Sequence, residues 1–163
     1  MTEEDKKFLE TAVECSIKNI EVGGGPFGAT IVKDGKIIAT TGNSVVPSKD
    51  PTAHAEVNCI RKACQVLNTN DLKGCVLYTS CEPCPMCLAA SYWARLDKIF
   101  YGNDRKDAKN INFDDDFIYE EIKKDFKDRS LPIKKIEGTF AIKAFKLMKF
   151  IIKIIIFKYF IIN

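Results

Sequence analysis

The chain has 163 residues, the length of one domain with a substantial apolar core. Apolar residues make up 46% of it and charged residues 29%, a balance that excludes an intrinsically disordered protein. Residues 141–163 contain five lysines and no acid, so the other 20 basic and 22 acidic residues leave residues 1–140 with a formal charge of −2, which argues against a nucleic-acid partner.

Helical and strand patterns alternate along the first 140 residues. Thr2 and the acids after it begin a helix that ends at Gly23-Gly24-Gly25. Asp34-Gly35 predicts the turn of a hairpin between strands at 28–32 and 36–40. The later elements are predicted in this order: a helix at 53–67, a strand at 75–79, a helix at 83–94, a strand at 98–101, a helix at 117–126 and a strand at 133–136. This order favours a three-layer α/β/α fold around a five-stranded mixed sheet.

The cysteines and the start of the chain indicate a reducing compartment. Seven cysteines are an odd number, which is a poor basis for a disulfide framework. The first residues, MTEED, are acidic where a signal peptide would be basic and then apolar. We therefore expect a cytoplasmic protein with free thiols.

The only histidine, His54, precedes Glu56 by two residues, and Cys84 and Cys87 follow about thirty residues later. Each feature has an ordinary explanation when taken alone: a polar residue at a helix start, and two core cysteines one turn apart. Together they match the H-x-E…P-C-x-x-C pattern of zinc deaminases. Because residues three apart share one face of a helix, both sulfurs can reach the same ion.

His54, Cys84 and Cys87 are therefore predicted to hold one Zn²⁺ per subunit. Three protein ligands leave the fourth tetrahedral position for water, which is typical of a catalytic site. Glu56 is the predicted proton shuttle between that water and the substrate. A structural zinc site would need a fourth ligand, for which Cys81 is the nearest cysteine. A cysteine hydrolase that pairs His54 with one of the two cysteines is the rival, but it leaves Glu56 without a role.

Longer stretches around these residues resemble known families. DPTAHAEV at 50–57 and LYTSCEPCPMC at 77–87 resemble the cytidine-deaminase-like superfamily, which includes the tRNA adenosine deaminases. GPFGA at 25–29, YWAR at 92–95 and FDDDFIY at 113–119 resemble the bacterial-type guanine deaminases. The resemblance covers about residues 5–136 and implies a cytidine-deaminase-like fold and the hydrolysis of guanine to xanthine and ammonia.

The same resemblance implies roles for residues around the zinc site. Phe27 is expected to stack on the base and Asn43 to hydrogen-bond to it, and Trp93 is a further candidate for substrate binding. Asp115 is expected to act with Glu56 by accepting hydrogen bonds from the amine edge of guanine, with Asp114 as the alternative. The ordinary explanations are core aromatics, a loop cap at Asn43 and a solvated acidic turn.

The last residues form a separate region in this interpretation. Residues 1–140 are the predicted zinc deaminase domain, and residues 141–163 are a basic and apolar tail. The resemblance implies a homodimer that exchanges this segment, with Tyr159 as a candidate for the aromatic residue that reaches the partner's site. Lysines three or four residues apart also suit a helix on a membrane surface. A spanning helix is disfavoured, because each central lysine costs about 2.5–3.5 kcal/mol.

The predicted function is thus the zinc-dependent deamination of guanine, a small nucleobase, without nucleic acid or membrane partners. Deamination of a nucleoside, of cytosine or of tRNA adenosine is the enzymatic alternative. A zinc-stabilised binding module without turnover is the alternative from another class.

Overall fold

The protein is described by a computed structural model that covers the backbone of residues 2–162 and the side chains of residues 2–156. The chain divides into two compact units, residues 1–123 and residues 124–163. The boundary expected near residue 140 between an enzyme domain and a tail stays a prediction.

The first unit contains a sheet and six helices among its described residues. The helices are α1 (Glu3–Glu21), α2 (Val45–Ser48), α3 (Ala55–Leu67), α4 (Pro85–Trp93), α5 (Arg105–Asn110) and α6 (Asp116–Lys123). The strands are β1 (Gly25–Lys33), β2 (Lys36–Asn43), β3 (Cys75–Cys81) and β4 (Lys98–Asn103). The predicted elements of this unit are all present, with ends that differ from the predictions by a few residues.

The sheet has the strand order β2-β1-β3-β4. β1 pairs antiparallel with β2 and with β3, whereas β3 and β4 are parallel. Asp34 and Gly35 have φ angles of 49° and 71°, so the predicted tight hairpin turn joins β1 to β2. The sheet is mixed, as predicted.

Helices cover both faces of this sheet because successive strand residues point to opposite sides. Ala29, Ile31 and Leu77 belong to a buried cluster with Cys59 of α3. On the other face, the hydroxyl of Tyr78 donates a hydrogen bond of 2.7 Å to Asp5 of α1. The sheet therefore lies between α1 and α3, and the end of β2 and the starts of α3 and α4 lie around one cavity.

The predicted fifth strand at 133–136 is wrong, because the structure has no strand there. Ile133 and Ile136 are 46% and 77% exposed, and no partner strand covers them. The two isoleucines lie three residues apart, so a strand would direct them to opposite faces. Pro132, just before them, also lacks the N–H that a sheet ladder requires. The described residues contain a four-stranded sheet.

The second unit contains a short 3-10 helix at Phe126–Asp128 and the long helix α7 (Ile142–Ile162). All side chains of α7 that the structure describes are exposed, and they include Phe145 at 76% and Phe150 at 61%. The side chain of Tyr159, the candidate aromatic of the tail, lies outside the described residues. None of the helices in the described part of the chain is both long and apolar enough to span a bilayer.

Candidate active site

Three potential metal ligands meet at the starts of two helices. His54 is the N-cap residue of α3, Cys84 is the N-cap residue of α4, and Cys87 lies in the first turn of α4. The two sulfurs are 3.6 Å apart, and His54 Nδ1 lies 3.6 Å from Cys84 Sγ and 3.5 Å from Cys87 Sγ. Tetrahedral zinc requires about 3.8 Å between two sulfurs and about 3.6 Å between sulfur and nitrogen. The donor atoms therefore fit a zinc ion.

The local sequence explains why these donors converge. Pro85 occupies the first position of α4, where its missing N–H costs no helical hydrogen bond. Cys84 and His54 both have extended backbone angles, as residues that precede a helix do. The positive ends of both helix dipoles then favour negative charge at this point. Contacts with Cys87 and His54 lower the pKa of the Cys84 thiol, which favours the thiolate that zinc binds.

Glu56 lies beside the three donors and is only 6% exposed. Its Oε1 accepts a hydrogen bond of 3.1 Å from the Thr79 hydroxyl, and its Oε2 accepts one of 3.4 Å from the Cys87 thiol. Burial raises the pKa of the Glu56 carboxyl, because the charged form loses its contact with water. A carboxyl group that binds a proton more readily than usual suits a proton shuttle. The contact with Thr79 was not anticipated, because strand position alone does not reveal it.

A cavity of about 480 Å³ opens above the metal ligands. Its lining includes His54, Glu56 and Cys84 together with Phe27 and Asn43. Phe27 packs edge to face against Phe113, with ring centroids 5.1 Å apart. These two rings form an apolar wall of the kind that holds a planar ligand. Phe113 was missed as a site residue, although it begins the FDDDFIY stretch.

Asn43 ends β2 at the cavity and is 7% exposed. Its Oδ1 accepts a hydrogen bond of 3.2 Å from the backbone N–H of Val45, so the amide NH₂ is the group left to donate to a ligand. Asn19 of α1 supports this corner, since its Nδ2 donates to the carbonyl oxygens of Gly25 and Asn43 at 2.7 Å each. Asn43 therefore combines a fixed position with a free donor group.

Both candidate aspartates line the cavity, but their surroundings differ. Asp114 Oδ1 accepts from the backbone N–H of Asp116 at 3.1 Å, and its Oδ2 forms an ion pair with Lys109 at 3.0 Å. Burial raises the pKa of Asp115, so that carboxyl group is less well solvated. These contacts favour Asp115 as the carboxylate that accepts hydrogen bonds from a ligand.

Trp93 is not brought together with the other predicted residues. It lies at the end of α4, is 86% exposed and does not line the cavity. An indole that faces solvent cannot stack on a base bound above the metal ligands. The tryptophan is therefore not among the residues that line the cavity, and its role in substrate binding stays a prediction.

A second polar network was not predicted from the sequence. Glu82 accepts hydrogen bonds from the Arg105 guanidinium at 2.6 and 3.3 Å, and the same guanidinium lies 3.5 Å from Asp116. α5, whose first residue is Arg105, was not predicted, although Asp104 and Asp107 form a reciprocal capping box at its start. That pattern was the signal available in the sequence.

The other five cysteines are not part of the group of potential metal ligands. Burial raises the pKa of each of them, to about 12 for Cys59 and about 11 for Cys81. Cys81 lines the cavity, but its Sγ contacts the backbone oxygen of Asp104 at 3.7 Å, and among the described residues only His54, Cys84 and Cys87 group as metal ligands. A structural four-ligand site that includes Cys81 is thus not formed.

Residues 2–103 match the family described as the cytidine and deoxycytidylate deaminase zinc-binding region. The chain belongs to this family. The predictions of a zinc-dependent deaminase and of a cytidine-deaminase-like α/β fold are confirmed, and the His54, Cys84 and Cys87 group is able to hold the zinc ion. Membership in this family also argues against the cysteine hydrolase.

Three matches show which members of this family the chain is similar to. A guanine deaminase of Bacillus subtilis is 52% identical over 140 residues, which are 85% of this chain and 90% of that protein. An X-ray structure of Bacillus subtilis guanine deaminase superposes with a TM-score of 0.87 and 49% identity, and the match covers 91% of this chain and 94% of the other. A tRNA-specific adenosine deaminase of Aquifex aeolicus is 47% identical over 94 residues, 58% of this chain and 62% of that protein.

Proposed function

We propose that this protein catalyses the zinc-dependent hydrolysis of guanine to xanthine and ammonia. The observation that supports this most directly is the buried Glu56 carboxyl group beside the His54, Cys84 and Cys87 donors, at the base of a cavity with aromatic walls. The similarity to a guanine deaminase extends over 90% of that relative, whereas the similarity to a tRNA-specific adenosine deaminase covers 62% of that protein.

His54, Cys84 and Cys87 would hold the zinc ion, and a bound zinc ion supplies an activated water molecule at neutral pH. Glu56 is placed to accept a proton from the water molecule whose oxygen adds to C2, the carbon of guanine that bears the exocyclic amine. Glu56 then delivers the proton to the neighbouring ring nitrogen. The second proton of the water passes from the new C2–OH group to the amine, which leaves as ammonia when the C2–N bond breaks and C2=O forms. One water molecule is consumed for each xanthine and ammonia formed.

The cavity residues supply the contacts that hold the base in this orientation. Phe27, fixed against Phe113, offers a flat apolar surface for stacking. Asn43 offers amide N–H donors to a ring nitrogen or the carbonyl oxygen of guanine. Asp115 accepts hydrogen bonds from the N–H groups on the amine edge, which places it next to the departing nitrogen. We assign Asp115 to proton transfer together with Glu56.

Substrate choice is the direct test of this function. Ammonia release from guanine should exceed release from guanosine, adenine, cytosine and tRNA by at least about 100-fold in kcat/KM. The physical reason is that adenine and cytosine lack the N1–H and N2–H donors that Asp115 would accept, and that the proposed contacts of Phe27, Asn43 and Asp115 all go to the base and none to a ribose. The measurement is a coupled ammonia assay on protein with one zinc ion per chain, confirmed by metal analysis.

Two results would count against the assignment. Zinc-loaded protein that turns over neither guanine nor guanosine would support a binding module instead. Turnover of tRNA adenosine in preference to guanine would place the protein with the tRNA deaminases. The formal charge of −2 on residues 1–140 makes that second result the less expected one, because a polyanion is best bound by a basic surface.

We further propose that the protein is a cytoplasmic homodimer in which the segment after about Glu137 packs on the partner subunit. Seven free cysteines are compatible with a reducing compartment. The described part of α7 exposes many large apolar side chains, and apolar surfaces beyond several hundred Å² usually mark interfaces. Exchange of a terminal segment buries such a surface in a symmetric dimer.

Removal of the chain after Glu137 tests this assembly. We expect the shortened protein to shift towards the monomer in size-exclusion chromatography with light scattering. We also expect guanine turnover to fall at least about tenfold if a tail residue of the partner closes the cavity. The matched control replaces Lys143 with glutamine, which keeps the apolar surface of α7 and should leave the dimer intact. A truncated protein that remains dimeric and fully active would show that the tail is dispensable for both.

A further inference from the structure

Arg105 connects the metal-binding loop, residues 82–84, to the segment that carries Asp115. Its guanidinium contacts Glu82 Oε1 at 2.6 Å and Oε2 at 3.3 Å, and its backbone N–H donates to Glu82 Oε2 at 3.2 Å. On its other side, the guanidinium lies 3.5 Å from Asp116 Oδ1. Glu82 is two residues before the ligand Cys84, and Asp116 follows Asp115 directly. The Arg105 side chain therefore joins Glu82, which is near the ligand Cys84, to Asp116, which is next to Asp115.

Tyr119 of α6 reinforces this connection. The Arg105 guanidinium stacks on the Tyr119 ring at 4.2 Å from its centroid. The Tyr119 hydroxyl donates a hydrogen bond of 2.8 Å to the carbonyl oxygen of Pro83, the residue before Cys84. The start of α6 is thus attached to the metal-binding loop at two points. On the side of the loop, the contacts are made one and two residues before Cys84. On the side of α6, they are made one and four residues after Asp115.

We propose that Arg105 is a positioning residue that holds Asp115 at the correct distance from the zinc ligands. This inference rests on the proposed role of Asp115 in the deamination of guanine. Asp115 lies in a turn between α5 and α6, where Asn112 has a φ of 66° and no sheet ladder fixes the backbone. Without the contacts from Arg105 and Tyr119, this turn has few ties to the loop that carries Cys84.

The contacts with Glu82, Asp116 and Tyr119 require an arginine. Its planar fork can contact two carboxylates at once and stack on an aromatic ring, whereas a lysine ammonium cannot do all three. The Glu82 side chain is only 19% exposed, so water competes weakly for its bond to Arg105. The same guanidinium lowers the pKa of Glu82 and keeps that carboxyl group charged. An Arg105→Lys variant should therefore retain the charge but not the geometry.

A double-mutant cycle tests the inference. We expect Arg105→Met to lower kcat for guanine by about 10- to 100-fold, with a smaller change in KM, because a displacement near 1 Å at a reacting group costs about 100-fold. Asp115→Asn should lower kcat by about 100-fold or more. The double variant should be no more than about threefold slower than Asp115→Asn alone, since a displaced asparagine loses little further. Arg105→Lys should resemble Arg105→Met.

Arg95→Met is the matched control, because Arg95 forms an ion pair of 2.8 Å with Asp71 away from the cavity. It should keep the kcat of the unmodified protein. Amide hydrogen exchange should increase at residues 111–116 in Arg105→Met and remain unchanged there in Arg95→Met. Tyr119→Phe, which removes only one hydroxyl group, is a milder variant and should lower kcat by about 3- to 10-fold. All variants should keep one zinc ion per chain.

Four results would overturn the proposal. Losses in kcat that multiply in the double variant would show that Arg105 acts independently of Asp115. Loss of zinc from Arg105→Met would show that Arg105 serves the metal-binding loop instead. If Asp115→Asn alone reduces kcat and both Arg105 variants do not, the inference fails while the proposed function stands. A fully active Asp115→Asn variant would remove the assigned role of Asp115 and this inference together.

Discussion

Replacement of Glu56 with glutamine is expected to lower kcat for guanine by about 100- to 10,000-fold, the range typical of a lost proton shuttle. Glutamine has nearly the same shape, and its side-chain oxygen can still accept the hydrogen bond that Thr79 gives to Glu56. It cannot take a proton from water and pass it to the base. Because Glu56 is not one of the three donors that form the metal site, zinc content should remain at one ion per chain.

Glu10→Gln is the matched control, since Glu10 is an exposed glutamate of α1. It should behave as the unmodified protein does in activity, zinc content and thermal unfolding. A Glu56→Gln variant that keeps more than about a tenth of the original kcat would assign the proton transfer to another group. In that case Asp115 would be the next carboxyl group to replace.

Removal of zinc by a chelator is expected to abolish guanine turnover and to lower the melting temperature by several degrees. Any ligand that binds only the folded state stabilises it, by about 4 kcal/mol at 1,000 times its dissociation constant. The ion would also connect α3 and α4, whose starts lie thirty residues apart in the chain. Added Zn²⁺ should restore both activity and melting temperature. Differential scanning calorimetry with and without chelator is the measurement.

Cys87→Ser should reproduce the effect of the chelator without any chelator present, because a serine hydroxyl is a poor ligand for zinc compared with a thiolate. Cys15→Ser removes a half-buried cysteine that is not part of the metal site and serves as the control. Full activity in chelated protein, confirmed by metal analysis to contain less than about a tenth of one ion per chain, would contradict the proposed mechanism.

The zinc site could be predicted because the sequence patterns that indicate it each span only a few residues. His54 and Glu56 are two residues apart, Cys84 and Cys87 are three apart, and each pair sits at a helix start where the backbone geometry is well defined. Helical spacing alone places the two sulfurs side by side. The hairpin was predictable for the same reason, since Asp34 and Gly35 suit the positive φ angles of its turn.

The features that were missed depend on contacts between distant parts of the chain. Thr79 meets Glu56 across twenty-three residues, and Arg105 meets Glu82 over the same separation. No local pattern distinguishes these residues from a strand threonine or a surface arginine. The exposure of Trp93 has a related cause, because the helical position of a residue does not reveal which face of the helix the core will cover. Ile133 and Ile136 suggested a strand by composition, but residues three apart would point to opposite faces of a strand, and Pro132 lacks the N–H that a sheet ladder requires.

The environment of the cysteines has a consequence for how this protein would respond to oxidants. Oxidants and electrophiles attack thiolates much faster than thiols. Burial raises the pKa of the five cysteines outside the metal site, which favours their protonated, less reactive form at neutral pH. Cys84, whose pKa is lowered by its contacts with Cys87 and His54, is the sulfur most open to attack once it is not bound to a metal. Oxidative inactivation would therefore begin with loss of the ion and spare the fold, which leaves a protein that a reductant and fresh zinc can repair.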